Sequence, residues 1–177
     1  MNTSRQFGNI RSLAIHCTYS RDDNEPANRW MGNVWLTVMG ITVGNRVSSG
    51  VEHIGIAISA LSDLGSRTGT RANSQLQNLD PRSALNMVMS AVYDDYYLGV
   101  DDDRDDVAGH EVLPYITGQA FDGWEAMIVE VGGSERFIWR HEGEDSVESK
   151  ELPIGSLQAA AEEAHGWLSM LVRTNER

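Results

Sequence analysis

Apolar side chains recur along the chain with two periods, and the switches between them mark the elements. In residues 10–19, IRSLAIHCTY, the positions Leu13, Ile15, Cys17 and Tyr19 alternate with Ala14, His16 and Thr18. Period two predicts a half-buried strand and leaves His16 on the opposite face as a structural histidine. The polar run 22–28, which contains Pro26, forms a loop. In residues 30–43, WMGNVWLTVMGITV, Val34, Leu36 and Val38 share a face, Met39–Gly40 sits where a tight turn fits, and Ile41–Val43 returns, so a strand pair is predicted. From Glu52 the period lengthens. Ile54, Ile58 and Leu61, with Ala57 and Leu64, recur at helical spacing and predict a helix that ends near Gly65. Residues 65–79 follow neither period. Next, Asp80 as a cap, Pro81 at the first helical position and the stripe Ala84, Leu85, Val88, Met89 and Val92 predict a second helix.

The last third is the most regular. WEAMIVEV (124–131) and SERFIWR (134–140) flank Gly132–Gly133, which supplies the positive φ of a hairpin turn, and both strands carry apolar residues on two faces. A polar loop is expected over 141–150. Beyond Pro153, Ser156 suits a cap, and Leu157, Ala161, Ala164, Leu168 and Leu171 form the stripe of a closing helix. This order predicts an α+β fold, a central, mainly antiparallel sheet with several packed helices, including a C-terminal helix. At 177 residues one domain spanning 1–177 is expected, with 1–9 and 173–177 as flexible ends.

Charge changes the picture. Residues 1–90 carry a net +2 and residues 91–177 a net −14, which accounts for the formal −12 of the whole chain. The most distinctive stretch is DDYYLGVDDDRDD (94–106), with seven Asp around Tyr96 and Tyr97. Such a field repels a phosphate backbone and argues against nucleic-acid binding, whereas it steers in a cationic protein. A strong net charge also serves plain solubility. Arg67 and Arg71 form the one plausible basic loop, but without aromatic neighbours they are a weak nucleic-acid signal. No apolar run approaches the roughly 20 residues that cross a bilayer, and no secretory pattern opens the chain. With Cys17 as the single cysteine, a cytoplasmic location is expected.

Catalytic and metal chemistry find little support. His110–Glu111 opens HEVLP, which lacks the second histidine of a zinc helix. Cys17 falls in an alternating apolar pattern and is expected to be buried and inert. Asp101, Asp103 and Asp105 have the stagger of a calcium loop, but Asp106 replaces its central glycine and Val112 its bidentate carboxylate. No phosphate-binding glycine loop is present. The expectation is no cofactor, no metal and no enzyme activity.

The strand LAIHCTY, the unit WMGNVWLTVMG, the hairpin FDGWEAMIVEVGGSERFIW and the finish LPIGSLQAAAEEAHGWL, in that order, resemble the immunity proteins of bacterial polymorphic-toxin and contact-dependent growth inhibition systems, most nearly immunity protein family 42. The resemblance implies a non-catalytic cytoplasmic protein that neutralises the C-terminal toxin domain of a secreted or cell-surface effector, with no direct nucleic-acid or membrane partner. It implies a toxin such as a basic nuclease, occluded at its active or substrate-binding surface. An acidic adaptor for an unrelated basic protein and a small carboxylate-dependent hydrolase are the alternatives. On the charge argument, the expected toxin-binding residues are Asp94, Asp95, Tyr96, Tyr97, Asp101, Asp102, Asp103, Asp105 and Asp106, with Trp30 and Trp124 as anchors.

Overall fold

The computed structural model describes residues 2–20, 30–46, 52–93, 99, 103–113 and 121–175. The chain forms two compact units. The first comprises Met1–Ser66, Tyr115–Asp122 and Gly155–Arg177, and the second Arg67–Pro114 and Gly123–Ile154. Both are built on antiparallel sheets carrying helices, so the α+β class is as the periodicity predicts.

In the first unit, β1 (Asn2–Gly8), β2 (Leu13–Ser20), β3 (Met31–Val38) and β4 (Ile41–Val43) pair in chain order, and β5 (Glu52–His53) pairs with β3. The register sets Ile15 opposite Leu36 and Cys17 opposite Val34, so the alternating apolar residues of both strands share one face. The helices α1 (Ile54–Gly65) and α5 (Ser156–Asn175) pack on each other and on the sheet, with Trp167 of α5 reaching Phe7 and Tyr19. On the opposite sheet face the His16 ring stacks on Trp35 at 5.3 Å, and its Nε2 lies 2.9 Å from Thr37 Oγ1. Both central residues of the β3–β4 turn, Met39 and Gly40, have positive φ, 47° and 84°, as a type I′ hairpin demands. Gly32 is needed for a different reason. A Cβ there would sit 1.8 Å from Thr18 O in the neighbouring strand.

Residues 2–8 depart from expectation. They form β1, paired along its whole length with β2, rather than a loose end. Their one apolar anchor, Phe7, is buried against Trp167, and backbone pairing supplies the rest, which composition does not advertise. At the other terminus α5 continues through Asn175.

In the second unit, β6 (Trp124–Val131) and β7 (Ser134–His141) form the predicted hairpin around Gly132–Gly133, and β8 (Glu148–Pro153) pairs with β7. The polar stretch expected as a loop therefore contributes a strand. Its charged residues suit an edge, and Leu152 alone is buried. The short α2 (Ser74–Gln77), capped by the Asn73 side chain, joins α3 (Pro81–Tyr93) and α4 (Arg104–Ala108). Asp80 caps α3 as predicted, its Oδ1 accepting from the backbone N–H groups of Arg82 and Ser83. Hydrogen bonds from the Ser83 hydroxyl and backbone hold the Asp80 carboxyl below its usual range. Leu85, Val88, Val107, Met127, Val129 and Ile138 meet in one core cluster. Residues 110–112 run beside β6, Ile128 N donating to His110 O and Val112 N to Ala126 O at 3.0 Å each.

Candidate functional site

By sequence, the second unit holds seven basic and seventeen acidic side chains, a net −10 of the chain's −12. Its arginines are turned onto the protein itself. Arg67 Nη1 donates to Gly109 O at 3.2 Å, Arg104 Nε to Ala91 O at 2.9 Å and Arg136 Nη2 to Leu76 O at 2.8 Å. Arg82 donates to Asp145 O, and Arg140 pairs with Glu125 while donating to Asn86 Oδ1. Guanidinium groups spent on backbone carbonyls fasten loops and helix ends. The carboxylates of Asp103, Asp105, Glu142, Glu144, Asp145, Glu148 and Glu151 instead face solvent. An outward negative field over an inward cationic scaffold attracts a basic partner from a distance.

Of the acidic residues expected at an interface, Asp103, Asp105 and Asp106 are described and exposed on and beside α4, where Asp106 Oδ2 accepts from Asn73 Nδ2 at 2.7 Å. Asp94, Asp95, Tyr96, Tyr97, Asp101 and Asp102 lie outside the described residues. Trp124, in the same unit as α4, is half-buried at the start of β6 with its ring edge-on to His141 at 5.0 Å. Trp30 belongs to the first unit. It is 7% exposed, packs on Tyr19 at 5.5 Å and holds a φ of 68°, a conformation rare for a bulky residue and tolerated where packing determines it.

Arg71, placed by its sequence in a basic loop, is buried. It is 2% exposed and feels the charges of Glu135 (0%) and Glu130 (9%). The hairpin register sets those two carboxylates directly opposite each other. Burial lowers the Arg71 pKa, and Glu135 and Glu130 oppose that shift. Gly69 N donates to Glu130 Oε1, and Glu130 N to Arg71 O at 2.9 Å, so the network fastens residues 69–71 to β6. The signal was present in the sequence: a two-residue turn at Gly132–Gly133 forces Glu130 and Glu135 to face each other, and a buried pair of like charges calls for a cation.

The candidate reactive groups are structural. Cys17 is buried, and burial pushes its thiol up to about 12. His110 is buried with Nδ1 donating to Ile128 O at 2.8 Å, and burial lowers its pKa. Glu111 bridges Met127 and accepts from the Tyr93 hydroxyl; burial chiefly raises its pKa. Among the described residues no group of His, Cys, Asp and Glu is arranged to hold a metal ion, and no helix is long and apolar enough to cross a membrane.

Residues 1–167 match the family Immunity protein 42. The chain belongs to that family. Its members are immunity proteins of polymorphic-toxin systems, so this protein binds a cognate toxin domain and acts by binding rather than by catalysis. The fold has a solved counterpart in the crystal structure of CdiI from Burkholderia dolosa AUO158, which superposes with a TM-score of 0.66 over 92% of this chain and 99% of the other at 17% identity. No curated protein matches the chain.

Proposed function

We propose that this immunity protein acts in the cytoplasm of the producing cell, where it binds a basic toxin domain, a nuclease, and occludes its active or substrate-binding surface. The observation that carries the reading is the charge arrangement of the second unit: net −10 by sequence, with arginines committed to internal carbonyls and carboxylates outside. A nuclease must attract phosphate and is therefore cationic around its active site, so the same field that repels nucleic acid draws the inhibitor to that surface. The contact is built on Asp94, Asp95, Tyr96, Tyr97, Asp101, Asp102, Asp103, Asp105 and Asp106, with Trp124 as the aromatic anchor; Trp30, expected from the sequence as a second anchor, is buried against Tyr19 in the first unit and fills its core instead. Long-range charge sets the encounter rate, and desolvated aromatic and hydrogen-bonded contacts hold the complex.

Co-expression with an adjacently encoded candidate toxin domain should rescue growth, and the two chains should co-purify. Association rates measured against salt test the steering. The wild-type rate should fall steeply as salt rises, and an Asp101/Asp103/Asp105→Asn variant should associate more slowly with a flatter dependence. Equal rates and equal salt dependence would overturn the charge argument.

A further inference from the structure

Helix α5 contains a glycine that packing does not require. Gly166 is exposed within Ser156–Asn175, and a Cβ built on it meets no heavy atom within 4 Å. Alanine would stabilise the helix there by about 1 kcal/mol. Gly166 lines a groove of about 510 Å³ between α5 and β1, into which a side chain at that position would project. Phe7 and Trp167, with ring centroids 5.1 Å apart, form its aromatic floor, and Trp167 is braced from a second side by Tyr19 at 5.3 Å. Met170, 63% exposed, extends the apolar surface along the helix.

The rim is polar and ordered. Glu163 Oε2 accepts from Gly8 N of β1 at 2.7 Å, and Glu162 Oε1 accepts from Gln158 Nε2 of α5 at 2.8 Å, so both carboxylates are positioned by the protein's own groups. Arg5 stands among the lining residues as the one cation against these two anions. A side chain matching this site has an aliphatic stem for the Trp167 face and a cationic head for the carboxylates. Lysine and arginine have both.

Building on the toxin-binding reading, we propose that the α5–β1 groove receives a lysine or arginine side chain of the cognate toxin domain, its stem lying over Trp167 in the space Gly166 leaves and its charge against Glu162 and Glu163. The occupant is argued from charge complementarity at the rim itself, where two carboxylates stand against one guanidinium. Glycine at 166 trades helix stability for an open binding surface.

The test uses the full chain and the catalytically inactivated toxin domain, with thermal melts alongside binding titrations. Gly166→Gln should melt no lower than wild type while binding the toxin at least about tenfold more weakly, and Gly166→Ala should melt higher with a smaller loss. Glu162→Arg leaves the groove unfilled and reverses one rim charge; it should weaken binding by about tenfold or more, with the deficit shrinking as salt rises. Toxin binding by both Gly166→Gln and Glu162→Arg within about twofold of wild type would overturn the groove assignment and leave the immunity role intact. Failure of the wild-type chain to bind the toxin would overturn the parent reading and the groove's occupant with it.

Discussion

Replacing Arg71 with methionine keeps most of the side-chain volume and removes the buried positive charge that interacts with Glu135 and Glu130. Arg71 is 2% exposed, and Glu135 is fully buried opposite Glu130 across the β6–β7 hairpin. Without the guanidinium two carboxylates face each other in a low-dielectric site. Breaking a buried ion pair from one side costs about 3–5 kcal/mol, and like charges directly opposite on a sheet add up to about 1 kcal/mol. Against a total stability of about 5–15 kcal/mol, that is about a fifth or more of what holds the fold. With a urea dependence of about 2 kcal/mol per molar, the unfolding midpoint should fall by about 2 M. Adding Glu130→Gln and Glu135→Gln to Arg71→Met removes the stranded charges, so the triple variant should recover most of the loss. A single Arg71→Met variant within about 1 kcal/mol of wild type, or a triple variant no better than the single, would refute the reasoning.

Two further outcomes follow from the fold. Burial lowers the pKa values of both His16 and His110 below 6.5, so folding favours the neutral rings; their stabilisation is complete above pH 6.5 and is lost as the pH falls through the folded-state values. The loss is about 1.4 kcal/mol for each tenfold drop in proton affinity. Urea midpoints at pH 7, 6 and 5 should decline, and His110→Gln should decline less steeply; equal slopes would remove His110 from the account. Met39 occupies a left-handed turn position at φ 47° and is half-exposed, so Met39→Asn should raise stability by about 0.5–1 kcal/mol, read as a higher melting temperature. A drop would show that the Met39 side chain contributes more than its backbone strain costs.

The elements legible in the sequence are those whose order is local. The α3 stripe with Asp80 and Pro81 at its start, the α5 stripe, the alternation of β2 and the glycine turn of the β6–β7 hairpin each declare themselves within about a dozen residues, because periodicity and capping act at that range. The acid excess of the later half was equally plain as a count. Residues 2–8 and 148–153 were not legible as strands. Their partners, β2 and β7, supply the pairing, and a polar strand at an edge has no periodic signature of its own. Tertiary structure alone decided which charges face out. Arg71 follows Arg67 in what looked like one basic loop, yet one is buried beside Glu135 and the other is exposed with a bond to Gly109 O. The groove at Gly166 is of the same kind: the glycine is visible in the sequence, but the Phe7–Trp167 floor joins residues 160 positions apart, and only packing of α5 on β1 brings them together. Local chain statistics determine the elements that carry their own period or cap, while edge strands and the partners a side chain meets depend on contacts that no short window contains.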